Sequence, residues 1–179
     1  MQIKSTTIPD VKIIEPKVFG DERGFFMETF RDDCFRENCS DVNFVQDNHS
    51  KSKQGILRGL HYQLEHTQGK LVRVTSVEVF DVAVDMRKLS KTFGQWFGLL
   101  LSAENKCQLW VPESFTHGFY VTGESAEFCY RCTDDYYPQS EVSIKYNDPI
   151  LKIDWPLIDP PSLSAKDADG LSFTDAPSF

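Results

Sequence analysis

Only four histidines occur in the 179 residues, at positions 49, 61, 66 and 117, so imidazole chemistry has few places to sit. No apolar run approaches the roughly 18 residues that span a membrane. The opening stretch, Met1 to Pro9, has no apolar core of signal-peptide length. Both absences argue against a membrane protein and for a cytoplasmic one. Positive charge is short as well: 19 Lys and Arg against 27 Asp and Glu leave a net charge of −8. No general basic field is there to gather nucleic acid, and an anionic ligand would have to be held by a few placed arginines. Cys34, Cys39, Cys107, Cys129 and Cys132 are odd in number and form no paired CxxC framework, which excludes a disulfide-stapled scaffold and implies reduced thiols.

What is present is aromatic and alternating. Aromatics make up 13% of the chain, with 14 phenylalanines, which suits a packed core rather than disorder. The length fits one domain over residues 1–179. Glu78 to Met86 sets Phe80, Val82, Val84 and Met86 on one face and Asp81 and Asp85 on the other, the pattern of a half-buried strand. Val11–Phe19 and Gly24–Phe30 read as strands around a Gly-Asp-Glu-Arg-Gly turn, and further strands are expected over 93–101, 107–111, 118–121 and 126–131. Arg31–Asn38 is the best helix candidate. Many short strands separated by turns predict an all-β antiparallel barrel or jelly roll with short peripheral helices. From about Asp159 onward, Pro, Ser and Asp predict an irregular segment.

The densest chemistry lies in Arg58-Gly-Leu-His61-Tyr-Gln63, a few residues before Gly69-Lys70. A base, a guanidinium and an ammonium suit proton abstraction beside a carbonyl on an anionic substrate. Arg58 and His61 have opposite strand parity, so both reach one face only if Gly59 allows a bulge. His117 ends a strand-like run beside Gly118, where backbones can approach closely. Tyr130 shares a strand face with Phe128. A metal site of the usual double-stranded barrel needs a second histidine two residues after His61; Gln63 stands there, which argues against a metal centre.

Phe25-Phe26-Met-Glu28, Phe44-Val-Gln46-Asp-Asn48-His-Ser50, Arg58-Gly-Leu-His-Tyr-Gln63 and Gln68-Gly-Lys70-Leu-Val-Arg73 resemble blocks of the dTDP-4-dehydrorhamnose 3,5-epimerase family. So do Val79 to Asp85, Leu101 to Lys106, Gln108 to Pro112, His117-Gly-Phe119, Asn147-Asp-Pro149 and Ile153-Asp-Trp-Pro156, in one order from about Phe19 to Asp167. The resemblance implies a cupin-type jelly roll, no metal, no organic cofactor, and a homodimer with exchanged N-terminal strands.

It also implies roles. His61 matches the general base, Asp167 the carboxylate that orients it, Tyr130 the acid on the opposite face, and Lys70 the cation beside the C4 oxygen. Arg23 and Arg58 match diphosphate ligands, whereas Phe26, Glu28, Gln46, Asn48, His117, Tyr136 and Glu141 match contacts to nucleotide and sugar. The expected substrate is a dTDP-4-keto-6-deoxysugar inverted at C3 and C5. Two other readings stay open on the residues: an epimerase that inverts one of these centres, and a sugar-nucleotide-binding cupin without catalysis. Ser114 departs from the pattern, standing where many relatives are expected to have glycine.

Overall fold

Alternation governs most of the chain in the computed structural model, which describes residues 1–179. Six strands form one antiparallel sheet: β1 (Gln2–Ser5), β2 (Lys12–Glu15), β10 (Gln108–Val111), β7 (Lys70–Ser76), β12 (Ser125–Cys132) and β5 (Gln46–Lys53), in that spatial order. Five form a second antiparallel sheet: β13 (Glu141–Ser143), β6 (Leu57–Gln63), β11 (Phe115–Val121), β8 (Glu78–Asp85) and β9 (Trp96–Ser102). The remaining pair, β3 (Val18–Asp21) and β4 (Gly24–Met27), makes a separate hairpin.

The two large sheets face each other. Val72 and Val74 of β7, Leu109 and Val111 of β10 and Phe128 of β12 pack with Val79, Ala83, Phe115, Phe119 and Val121 of the other sheet. This shared interior, with sheet order that does not follow chain order, is the jelly roll that the strand spacing led to, of the cupin type that the resemblance implied. The strand expected over Val11–Phe19 is two strands, broken after Glu15 at Pro16, which has no N–H to give to a ladder. The following strand stops at Met27 instead of Phe30, and the Phe30 ring packs on Phe35 and Phe44, 5.8 and 5.3 Å between centroids. The helix α1 runs over Asp32–Asn38, with Asp32 and Asp33 at its positive end and Arg36 in its last turn.

One expectation is corrected. β8 is buried on both faces, and Asp81 and Asp85 have no exposed surface. The outer face that Val82, Val84 and Met86 would have shown to water is covered by Leu151, Trp155 and Ala176 from the segment after β13. That irregular segment is therefore a lid on the second sheet. It is tied down where the Lys145 N–H donates to the Leu171 carbonyl (3.0 Å) and the Phe179 N–H to the Met86 carbonyl (3.0 Å). It also carries a short helix, α2 (Ala165–Ala168), back to the edge of β6. No helix is long and apolar enough to cross a membrane.

Candidate active site

Inward-facing residues of β5, β6, β7, β11 and β12 line a cavity of about 750 Å³ at one side of the barrel. His61 and Arg58 both reach it. Across from His61 on β11 is His117, and across from Arg58 is Phe119, so three steps along β6 are matched to two steps along β11. That extra residue is the bulge which the opposite parity of Arg58 and His61 requires. Gly59 makes it possible: its φ is +116°, and a Cβ there would lie 2.5 Å from the Gly118 Cα. Gly118 is the facing half of the same close approach, since its own Cβ would meet the Arg58 carbonyl oxygen at 2.8 Å.

His61 Nε2 is hydrogen-bonded to a carboxylate oxygen of Asp167, while the other oxygen accepts from the Ser164 hydroxyl at 2.7 Å. Ser164 also caps α2, accepting from the Asp167 N–H at 3.2 Å, so the helix start and the carboxylate are fixed together. Burial pushes the Asp167 carboxyl up, but bonds from His61 and Ser164 outweigh it and hold the group below its ordinary range. The carboxylate bonded to one ring nitrogen sets the orientation of the imidazole.

On the facing sheet, Tyr130 and Cys132 of β12 point into the cavity, and Cys132 is in register with Lys70. Burial pushes the Tyr130 phenol up, the neighbouring Cys132 adds to this and Arg58 opposes it, so the proton stays on at neutral pH. Burial likewise pulls the Lys70 ammonium down, against the pull of Cys132, Glu141 and Asp81. Lys70 lines the cavity and forms no ion pair with any carboxylate. It can meet negative charge that arrives with, or develops on, a ligand.

His117 sits deeper. Its Nε2 lies 3.0 Å from each oxygen of Asp81. Asp81, which sequence reasoning placed on a solvent face, is the buried partner of this cavity-lining histidine. The signal that would have found it is that Val79 and Ala83, on its own side of β8, are also apolar.

The remaining expected residues fall into two groups. Gln46, Asn48, Arg58, Tyr136 and Glu141 line the cavity. Gln46 donates to Asn48 (2.9 Å) and accepts from the Tyr136 N–H (3.0 Å), while Arg58 Nε donates to Ser52 (3.0 Å). Glu141 accepts from the Tyr136 hydroxyl at 2.9 Å and from Lys166 at 2.8 Å. Lys166, also at the cavity wall, is a second residue the sequence reading passed over, although it adjoins Asp167. Arg23, Phe26 and Glu28 are not at this cavity. They belong to the β3–β4 hairpin and its exit, with Arg23 bonded to Asp21 in the turn and Phe26 70% exposed. Gln63 is held by backbone: its amide donates to the His66 and Asp135 carbonyls and accepts from the Tyr137 N–H. No three His, Cys, Asp or Glu side chains are grouped as ligands of a metal ion.

Fold and cavity together define a cupin-type barrel with an acid–base site. Residues 5–175 match the sequence family described as dTDP-4-dehydrorhamnose 3,5-epimerase. The chain is 58% identical over 180 residues to the dTDP-4-dehydrorhamnose 3,5-epimerase of Pseudomonas aeruginosa, covering 100% of this chain and 99% of that one. It is also 58% identical to the protein of that name from Neisseria gonorrhoeae, over 98% of this chain but only 54% of the longer relative. Among solved structures, the dTDP-6-deoxy-D-glucose-3,5-epimerase of Legionella pneumophila, in complex with dTDP-4-keto-L-rhamnose, superposes with a TM-score of 0.95. That pair shares 56% identity over 97% of this chain and 93% of the other. The chain belongs to the dTDP-4-dehydrorhamnose 3,5-epimerase family.

Proposed function

We propose that this protein converts dTDP-4-dehydro-6-deoxy-D-glucose to dTDP-4-dehydro-L-rhamnose by inverting C3 and C5. One observation carries the reading: a histidine–aspartate pair, a protonated tyrosine and an unpaired lysine line the same cavity. The C4 ketone acidifies the protons on the carbons either side of it. His61, held by Asp167, takes one of these protons, and the electron pair moves onto the C4 oxygen as an enolate. Lys70 faces that oxygen, and removing one such donor typically raises a barrier by ~2.7–4 kcal/mol. Tyr130 then gives its proton to the opposite face of the same carbon.

His61 belongs to one sheet and Tyr130 to the other, so a flat enolate between them meets a base on one side and an acid on the other. Each inversion leaves His61 protonated and Tyr130 ionised, and both are reset through solvent before the second. His117, backed by Asp81, serves as a positioning donor near the same sugar. Arg58 holds diphosphate, its guanidinium fork matched to phosphate oxygens. Gln46, Asn48, Tyr136 and Glu141, with Lys166, contact the nucleotide and sugar.

The same reading assigns Arg23, Phe26 and Glu28 to a partner's site. Their hairpin carries Phe19, Phe25 and Phe26 at 51%, 61% and 70% exposure, an apolar edge that an exchanged homodimer would cover. It also makes turnover independent of metal and organic cofactor. Five unpaired cysteines suit a reducing, cytoplasmic setting.

The test is incubation with the 4-keto sugar nucleotide, with and without chelator, followed by NMR of the sugar. Formation of the L-configured product in both supports the reading. No product, or product only when a metal is restored, overturns it.

A further inference from the structure

After β12 the chain runs through residues 133–137 in no helix or strand, and Tyr136 is the one residue of that loop that lines the cavity. An irregular loop has no ladder for its backbone, so its N–H and C=O groups need other partners to stay in one place. Three glutamines supply them. The Asp134 carbonyl accepts from the Gln68 amide at 2.8 Å, and the Asp135 carbonyl from the Gln63 amide at 3.2 Å. The Tyr136 N–H donates to the Gln46 oxygen at 3.0 Å, and the Tyr137 N–H to the Gln63 oxygen at 2.9 Å. Three successive peptide units, including both that flank Tyr136, are therefore fixed by glutamine side chains.

Gln63 is the centre of this cradle. It is 4% exposed, and its other amide hydrogen goes to the His66 carbonyl at 2.6 Å, so one side chain ties the loop before β7 to the loop after β12. The task needs a donor and an acceptor on one group, which an amide has. Both donors and the oxygen are committed to backbone, so Gln63 has no N–H left for a ligand, although it lines the cavity two residues from His61. Whatever it does for binding, it does through the loop.

We propose that Gln63 and Gln68 are positioning residues for nucleotide binding: they hold residues 133–137 so that the Tyr136 ring is in place before the nucleotide arrives. The assignment rests on the epimerase reading, in which Tyr136 contacts the nucleotide. A loop released from the cradle presents that ring for only a fraction of the time, and the apparent affinity falls by the same fraction. Proton transfer by His61 and Tyr130 does not pass through the loop, so the loss falls on binding.

The experiment is calorimetric binding of dTDP, with steady-state kinetics on the 4-keto sugar nucleotide, for the wild type, Gln63→Met, Tyr136→Ala and the double variant. Methionine keeps the unbranched length of glutamine and removes its hydrogen bonds. If the loop of Gln63→Met is in place about a tenth of the time, dTDP binds about 10-fold more weakly. KM should rise in step, with a smaller change in kcat, as expected when uniform binding is lost. On the Tyr136→Ala background, Gln63→Met should cost no further affinity, because its effect runs through that ring. A folded Gln63→Met protein that binds dTDP like the wild type overturns the proposal, and so does a loss that adds in full to that of Tyr136→Ala. If thermal unfolding shows Gln63→Met to be unfolded, Gln68→Met, which removes one bond to the same loop, goes through the same comparison, and the same two results overturn it. A Tyr136→Ala protein that binds dTDP as well as the wild type takes Tyr136 out of the nucleotide site and ends the proposal, while inversion at C3 and C5 is judged by product formation in the wild type.

Discussion

At the scale of single residues, proton removal and proton return fall to different side chains under the proposed mechanism. His61→Ala should abolish both epimerisation and solvent exchange, because a positioned base alone contributes ~10²–10⁴-fold. Tyr130→Phe should still exchange protons on the His61 side while product formation falls, which NMR in deuterated water would separate. Full turnover in either variant removes the assignment. Lys70→Ala should lower kcat by about 10²–10³-fold, with a smaller change in KM, because the enolate charge it meets is absent from the ground state. Ser114 shows how a sequence anomaly becomes physical: its φ is +66°, the left-handed region where glycine sits without penalty, so a glycine expected there has a backbone reason.

At the scale of elements, the buried charges of β8 divide between site and structure. Asp81 backs His117, whereas Asp85 accepts from Arg87, Ser90 and Thr92 and so fixes the loop after β8. Burial alone would raise the Asp85 carboxyl, but those donors outweigh it and hold it at about 2. A carboxyl lowered on folding stabilises the native state above its unfolded pKa, here 3.8, and that contribution disappears as pH falls toward 2. Acid titration of the melting temperature should therefore show a loss between about pH 4 and pH 2 that is reduced in Asp85→Asn. The same variant should cost about 3 kcal/mol at neutral pH in a denaturant titration, since it leaves a buried ionic network without its centre. An unchanged midpoint would contradict this.

The alternation of β8 was legible, but its second buried face was not. What covers that face is an irregular segment with no period of its own, docked through Leu151, Trp155 and Ala176. For the same reason Asp167 is out of reach of periodicity: it lies more than a hundred residues from His61, and α2 spans only Ala165–Ala168. His61, Arg58 and Lys70 could be picked out because they are close in sequence. Their partners were found by family resemblance, or, for Asp81 and Lys166, only in the folded chain.

At the scale of the whole molecule, the separation of Arg23, Phe26 and Glu28 from the cavity bears on assembly. Under the proposed exchange, Arg23 of one chain serves His61 of the other. Arg23→Glu and His61→Ala proteins, each inactive, should regain a minority of wild-type activity when mixed and allowed to form heterodimers. Heterodimers that form and stay inactive would place Arg23 within its own subunit's function.

The central claim is that one site inverts two carbons through an enolate at C4. Its most direct test is to incubate the wild-type protein with the 4-keto sugar nucleotide in deuterated water and follow C3 and C5 by NMR. The account predicts deuterium at both carbons, each with inverted configuration. Deuterium confined to one carbon would contradict the double inversion and leave a single-centre epimerase, and deuterium at neither would contradict proton abstraction by His61 altogether.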